Sequence, residues 1–271
     1  MRFLPPALQC AGLLAGLACT TAMATGASPP AATRVYLEEL TSPEVHARVL
    51  QGSTTVLLPI GGTEQNGPHM VLGKHNVRVR ALAGQIAQQL GNAVVAPVLA
   101  YVPEGRITPA QAHMRFSGTL SISEAAFEAV LEGAARSFKQ HGFRDIVLLG
   151  DHGGYQKSQA RVAQRRNREW ANDPSARVHA LPEYYAATQQ PFNQTLLAKG
   201  FSAAEIGVHA GLGDTAMAMA VDPALVRTDQ LAPGNGVAGD PRRASAALGQ
   251  TGLQTIVDRS VAAIRAAVHT H

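Results

Sequence analysis

Four polar side chains, Glu64, Asn66, His69 and His75, crowd into a segment that also carries Gly67 and Pro68. Carboxylates and imidazoles bind divalent cations and carry protons near neutral pH, and a loop rich in turn-forming residues can aim several of them at one point. Three further segments offer related chemistry. Asp151-His152-Gly153-Gly154 sets an imidazole among glycines; it suits a metal ligand or an ordinary Gly-rich turn. His209-Ala210-Gly211-Leu212-Gly213-Asp214-Thr215 carries an imidazole and a carboxylate, although Asp214-Thr215 would also cap a following helix well. Gln111 to Thr119 adds His113, equally fit for a substrate contact or a plain turn. Together these segments supply Glu, His and Asp without cysteine, a ligand set suited to Zn²⁺ or Mn²⁺. Water bound to such a metal is acidified to a pKa of about 7, which makes hydroxide available for attack on an amide carbonyl. A serine hydrolase fits less well, since the chain has no Gly-x-Ser-x-Gly elbow.

The elements that must position these groups follow from periodicity. Thr54 to Ile60, Asn92 to Val98 and Asp145 to Leu149 are short, rich in Val, Ile and Leu, and bounded by Gly, Pro or charge, as buried strands are. Helical spacing predicts Asn76 to Leu90, with Val77, Leu82, Ile86 and Leu90 on one face. It also predicts Glu124 to Gln140, with Phe127, Val130, Leu131, Ala134 and Phe138 together. Tyr155 to Asn172 is a more polar helix, Arg177 to Leu181 a strand-like run, and Asp229 to Gly249 a long loop. Alternating strands and helices imply βαβ units and a largely parallel sheet covered on both faces. Ligands gather at the carboxyl ends of such strands. Gly61 to His75 and Gly150 to Gly154 emerge there, each directly after a predicted strand.

Composition bounds the rest. Of 271 residues 46% are hydrophobic and 15% charged, which is enough apolar surface for a packed core. Arg2, the apolar run Ala11 to Ala18 and the small-x-small site Ala22-Met23-Ala24 have the layout of a secretory signal peptide. The apolar run is short of the roughly 20 residues a permanent membrane span needs. Residues 1–24 are therefore expected to be removed, residues 25–33 to form a Pro/Ala-rich tether and residues 34–271 a single α/β domain in the periplasm or outside the cell. Lipoprotein anchoring through Cys19 fits less well, because Gly16 stands where an aliphatic residue is expected. Cys10 and Cys19 both lie in the leader, so the mature chain would hold no thiol for disulfide, nucleophile or ligand. The net charge of +4 is modest, and Arg165-Arg166 and Arg242-Arg243 are isolated pairs, which argues for solvated surface and against nucleic-acid binding.

Five motifs in order carry a family resemblance: Leu57-Leu58-Pro59-Ile60-Gly61-Gly62-Thr63-Glu64-Gln65, His113 with Phe116-Ser117-Gly118-Thr119, His152-Gly153-Gly154, His209-Ala210-Gly211, and Gly239-Asp240-Pro241. In these the chain resembles the creatininase family of metal-dependent amidohydrolases. The resemblance implies a three-layer α/β/α fold with a mainly parallel central sheet, a two-metal centre often holding Zn²⁺ or Mn²⁺, a small amide substrate and commonly a homohexamer. It implies Glu64 and His152 as ligands of one metal, Asp214 where the family has a glutamate ligand for the second, and His209 where creatinine-hydrolysing members keep a catalytic histidine.

Two positions depart. Asn66 stands where the family has a ligating histidine, and His75 where it has the aspartate that bridges both metals. A carboxylate offers two oxygens to two cations; a neutral imidazole offers one lone pair. The expectation is one firmly held ion at Glu64, His75 and His152 with an open position for water, and Asp214 reaching it or holding a weak second ion. Glu64 and His209 are the expected catalytic groups, and His113, Asn66 and Tyr155 face the substrate. Tyr101, Tyr184 and Tyr185 are further candidates to line a pocket for a flat ring. The substrate is expected to be a creatinine-like cyclic amide, a lactam or a formamide. The altered ligands also suit a retired enzyme that binds a small molecule or metal without turnover.

Overall fold

The computed structural model describes Met1 and residues 34–268; the expected leader and tether, from residue 2 on, lie outside the described residues. Strand β1 (Thr55–Ile60) is apolar or β-branched at nearly every position and buried along its whole length, as a strand covered on both faces requires. It pairs in parallel with β2 (Ala93–Val95) on one side and β3 (Asp145–Gly150) on the other, and β3 pairs in parallel with β4 (Arg177–Ala180). Among the described residues the sheet order is β2-β1-β3-β4.

Strand alternation sorts the core into two layers. Leu57, Val95, Val147 and Leu149 face helices α2 (Lys74–Leu90), α5 (Pro182–Ala198), α7 (Leu212–Val221) and α8 (Ala246–Val268), where they meet Val79, Leu82, Ile86, Tyr184 and Ile256. Val56, Leu58, Ile60, Ile146 and Leu148 face α3 (Glu124–Gln140) and α4 (Gln156–Glu169), where they meet Phe127, Leu131 and Val162. The fold is thus the three-layer α/β/α arrangement with a parallel sheet. Short helices α1 (Ser42–Leu50) and α6 (Ala203–Ile206) complete it. Arg165 pairs with Glu128 and Glu132 of α3 and Arg166 with Glu132 as well as with Glu169 of its own helix, so this basic pair serves the α3–α4 seam. No described helix is long and apolar enough to cross a membrane.

Several elements differ from their sequence expectation. The buried stripe of α2 is Val79, Leu82, Ala83, Ile86 and Ala87, leaving Val77 exposed; that of α3 is Phe127, Leu131 and Ala135, leaving Val130 exposed. Strand β2 stops at Val95, well short of Val98, and α8 begins at Ala246, inside the expected loop.

Chain direction decides where a site can form. From β1 the chain crosses to β2 through α2 on one face, then returns past β1 to β3 through α3 on the other face. The crossovers part between the carboxyl ends of β1 and β3, and the crevice outside such a switch point is where open α/β sheets bind ligands. The loops carrying Glu64 and His152 leave the sheet at that crevice.

Candidate metal centre

Glu64 sits on the loop after β1 with its side chain fully buried. Gly62 makes the approach possible: its φ of +151° is a glycine conformation, and a Cβ there would lie 2.4 Å from Glu104 Oε1. Around the Glu64 carboxylate stand four imidazoles. His75 Nε2 is 2.8 Å from Oε1 and His209 Nδ1 3.7 Å from the same oxygen, while His113 Nε2 is 3.1 Å and His152 Nε2 3.6 Å from Oε2. Burial opposes the Glu64 charge, but the hydrogen bond from His75 and the nearby charges outweigh it and hold the carboxyl well below the usual range.

Glu64, His113 and His152 each offer a ligand atom within 4.8 Å of the others. Two further observations test whether a cation fits. Glu64 Oε2 is buried and accepts no hydrogen bond even though His113 Nε2 is 3.1 Å away. That spacing is close to the roughly 3.3 Å edge of a tetrahedron whose ligands lie about 2.0–2.2 Å from zinc. Burial pushes the His152 ring down to about 4, so at neutral pH it is uncharged, the form that ligates metals. The residues present fit a divalent metal.

The remaining predicted site residues are placed differently. His75 uses both ring nitrogens on carboxylates, Nε2 at Glu64 and Nδ1 at 2.6 Å from Asp151 Oδ2, and so orients Glu64 without a lone pair to spare for a metal. Asp214 reaches no metal cluster: Lys74 Nζ contacts its Oδ2, Arg78 Nη1 is 2.7 Å from Oδ1, and the Ala210 amide donates to Oδ2 at 3.1 Å. Burial opposes the Asp214 charge, yet Lys74 and Arg78 hold its carboxyl far below the ordinary value. Asn66 is buried and spends its amide on the Glu64 and Val71 carbonyls, at 2.9 and 3.3 Å, shaping the loop from within. Tyr155 is likewise buried; its hydroxyl is shared between the Ile60 and Gly61 carbonyls, at 2.8 and 2.6 Å, and accepts the His152 amide. Neither Asn66 nor Tyr155 lines the cleft at this group. His69 turns away to Thr215, 3.0 Å distant.

His209 belongs to a loop pinned by the last motif. The Val208 amide donates to the Ala238 carbonyl and the Ala238 amide to the His209 carbonyl, both at 2.8 Å, and Gly239 packs its Cα against Gly211. The His209 Nε2 lies 3.0 Å from the Gln65 carbonyl, which can only accept, so the proton sits on Nε2 and Nδ1 faces Glu64. The Gln65 side-chain nitrogen lies 3.2 Å from His113 Nδ1 and 3.1 Å from His209 Nε2, and with the proton on that Nε2 only His113 can accept from it. A cleft lined by Lys74, His75, His152, Tyr185, His209 and Asp214 opens onto this group. Tyr184 is buried beneath it and donates to Asp151 at 2.9 Å, and Tyr101 stands exposed.

Sequence reasoning gave no role to Lys74, Arg78 or Glu104. Lys74 and Arg78 lie in the first turns of α2, where the i, i+4 spacing puts both on the Asp214 side. Glu104 is buried 3.5 Å from His152 Nδ1. The available signal for Glu104 was its place in the loop leaving the carboxyl end of β2.

The family model for creatininase, described as creatinine amidohydrolase, matches residues 38–264. A creatinine amidohydrolase of Pseudomonas putida is 28% identical over 201 residues, spanning 73% of this chain and 75% of its own. A mycofactocin precursor peptide peptidase of Mycolicibacterium smegmatis is 30% identical over 237 residues, spanning 78% and 82%. Among solved structures, a manganese creatininase superposes with a TM-score of 0.72 at 26% identity, covering 86% of this chain and 98% of that one. A zinc–zinc creatininase variant gives 0.71 at 26% identity, with 86% and 97% covered. With the ordered motifs gathered around one buried carboxylate and the family model matched across most of the described residues, the chain belongs to the creatininase family of hydrolases.

Proposed function

We propose that this protein hydrolyses the C–N bond of a small cyclic or linear amide with one divalent ion, Zn²⁺ or Mn²⁺, held at Glu64, His113 and His152. The observation that carries the reading is the convergence of those three side chains at the carboxyl edge of the sheet, with a buried Glu64 oxygen left unpaired. When bound, the metal supplies polarisation of the carbonyl and an acidified water. The chain's own groups orient and move protons around it. His75, gripped by Asp151, fixes the Glu64 carboxylate. His209 is lowered in basicity by burial and then by Lys74, so it is neutral at pH 7; its Nδ1 is the atom that accepts a proton and returns it to the leaving nitrogen.

The test is metal analysis of the purified protein together with turnover of a panel of cyclic amides, lactams and formamides. We expect one ion per chain and chelator-sensitive hydrolysis of at least one member. Substoichiometric metal, unchanged when Glu64→Gln and His152→Ala are combined, would sink the reading. The capture of His75 and Asp214 by charged partners favours a second reading, a retired enzyme that binds without turnover. Metal at full occupancy with no hydrolysis across the panel would select it. The leader in the sequence supports action in the periplasm or outside the cell, and the resemblance supports a homohexamer, which light scattering checks.

A further inference from the structure

We infer that Glu104 is an additional ligand of the metal, restoring to the centre the carboxylate that position 75 lacks. This rests on the reading that Glu64, His113 and His152 hold an ion. Its side chain is fully buried, and both of its oxygens lack any hydrogen-bond partner. A buried carboxylate in that condition needs a proton or a cation, since water cannot reach it. Its neighbours are ligands of the proposed ion: His152 Nδ1, which accepts the Gly154 amide at 3.2 Å, lies 3.5 Å from Oε2, and the Glu64 charge bears on it.

The chain builds a cradle for this group. On the loop after β2, the Glu104 amide donates to Ser121 Oγ at 3.0 Å, and that hydroxyl donates to the Gly105 carbonyl at 2.7 Å, so two backbone bonds set the direction of the side chain. On the far side Gly62 clears the space; any side chain there would collide with Glu104 Oε1 at 2.4 Å. Glu104 is thus aimed inward by one loop and admitted by another, and among the described residues no side chain hydrogen-bonds its carboxylate. An ion ligated by Glu104 as well would meet two carboxylates beside the imidazoles of His113 and His152, and the two carboxylates balance the charge of a dication.

The experiment compares the full chain with Glu104→Gln, which keeps shape and removes charge. Both are stripped of metal and titrated with Zn²⁺ and with Mn²⁺ against a chromophoric chelator, and the thermal midpoint of each metal-free protein is recorded. We expect Glu104→Gln to bind either ion at least tenfold more weakly, while its metal-free midpoint equals or exceeds that of the parent, because the orphaned carboxylate is gone. Equal affinities overturn the inference alone, and do so even if turnover falls, which would make Glu104 a proton donor. A lower metal-free midpoint with unchanged affinity also overturns it. If the parent chain binds neither ion, the proposed function falls with it.

Discussion

His152 and Glu104 stand 3.5 Å apart, and burial displaces them in opposite directions: the imidazole down to about 4, the carboxyl up to about 9 with the Glu64 charge adding to the effect. Unfolded, they titrate near 6.5 and 4.5. The metal-free protein should therefore have an unusual pH profile. Between pH 4.5 and 6.5 the unfolded chain holds an extra proton on His152 and the folded chain an extra one on Glu104, these two cancel, and the lowered basicity of His69 and His209 makes stability climb toward pH 6.5. From pH 6.5 to 9 only Glu104 differs; the folded state keeps a proton the unfolded chain has released, so stability falls with slope up to about 1.4 kcal/mol per pH unit. Below 4.5 it falls again as His152 resists charging. Then Asp151 and Asp214, held low by Arg78 and Lys74 against burial, lose the stability they contribute above their ordinary value of 3.8. Urea unfolding at stepped pH with chelator present measures this; stability that rises from pH 6.5 to 9 contradicts it.

Tyr155 illustrates how an element can be legible while the task of a residue on it is not. The sequence marks the segment after β3 as functional, and His152 does join the cluster, but Tyr155, expected to face the substrate, is a strut. Only the tertiary fold shows its hydroxyl clasping the end of β1 and the His152 amide at once. Tyr155→Phe should cost about 1–3 kcal/mol, because buried carbonyls lose their donor. Metal affinity should drop with it, as the loops bearing Glu64 and His152 lose their common tie. Denaturation and chelator titration read the two effects; an undisturbed midpoint would show the clasp to be idle. Glu104 was illegible for a related reason. A lone acid between Pro103 and Gly105 looks like surface loop, and its burial comes from Gly62, distant in sequence.

At the scale of the molecule, the parallel sheet and its two helical layers follow from apolar runs alternating with helical spacing, and the strand ends fix where the site lies. The long C-terminal helix begins inside the stretch expected to be a loop. Gly249 closes the expected loop, yet it and Gly252 are contact points of α8: a Cβ at 249 would strike the Ala216 carbonyl at 1.9 Å, and one at 252 the Phe192 ring at 2.9 Å. Packing overrides propensity there. The departures at Asn66 and His75 were visible as departures, but their consequence depended on Lys74, Arg78 and Asp151, whose partners are set by the fold.

Helix α2 has one end in the charge network, through Lys74, His75 and Arg78, and the remainder of its buried face wedged against Leu57 and Val147 of the sheet. A rod clamped at both ends transmits what happens at either. Occupancy of the centre should thus be audible far from it: amide hydrogen exchange along α2 should slow on Zn²⁺ addition well beyond its first turns, while α3, which contributes no group to the cluster, keeps its rate. Equal slowing of both helices would mean that the ion tightens the molecule as a whole and that α2 carries no special share of the signal.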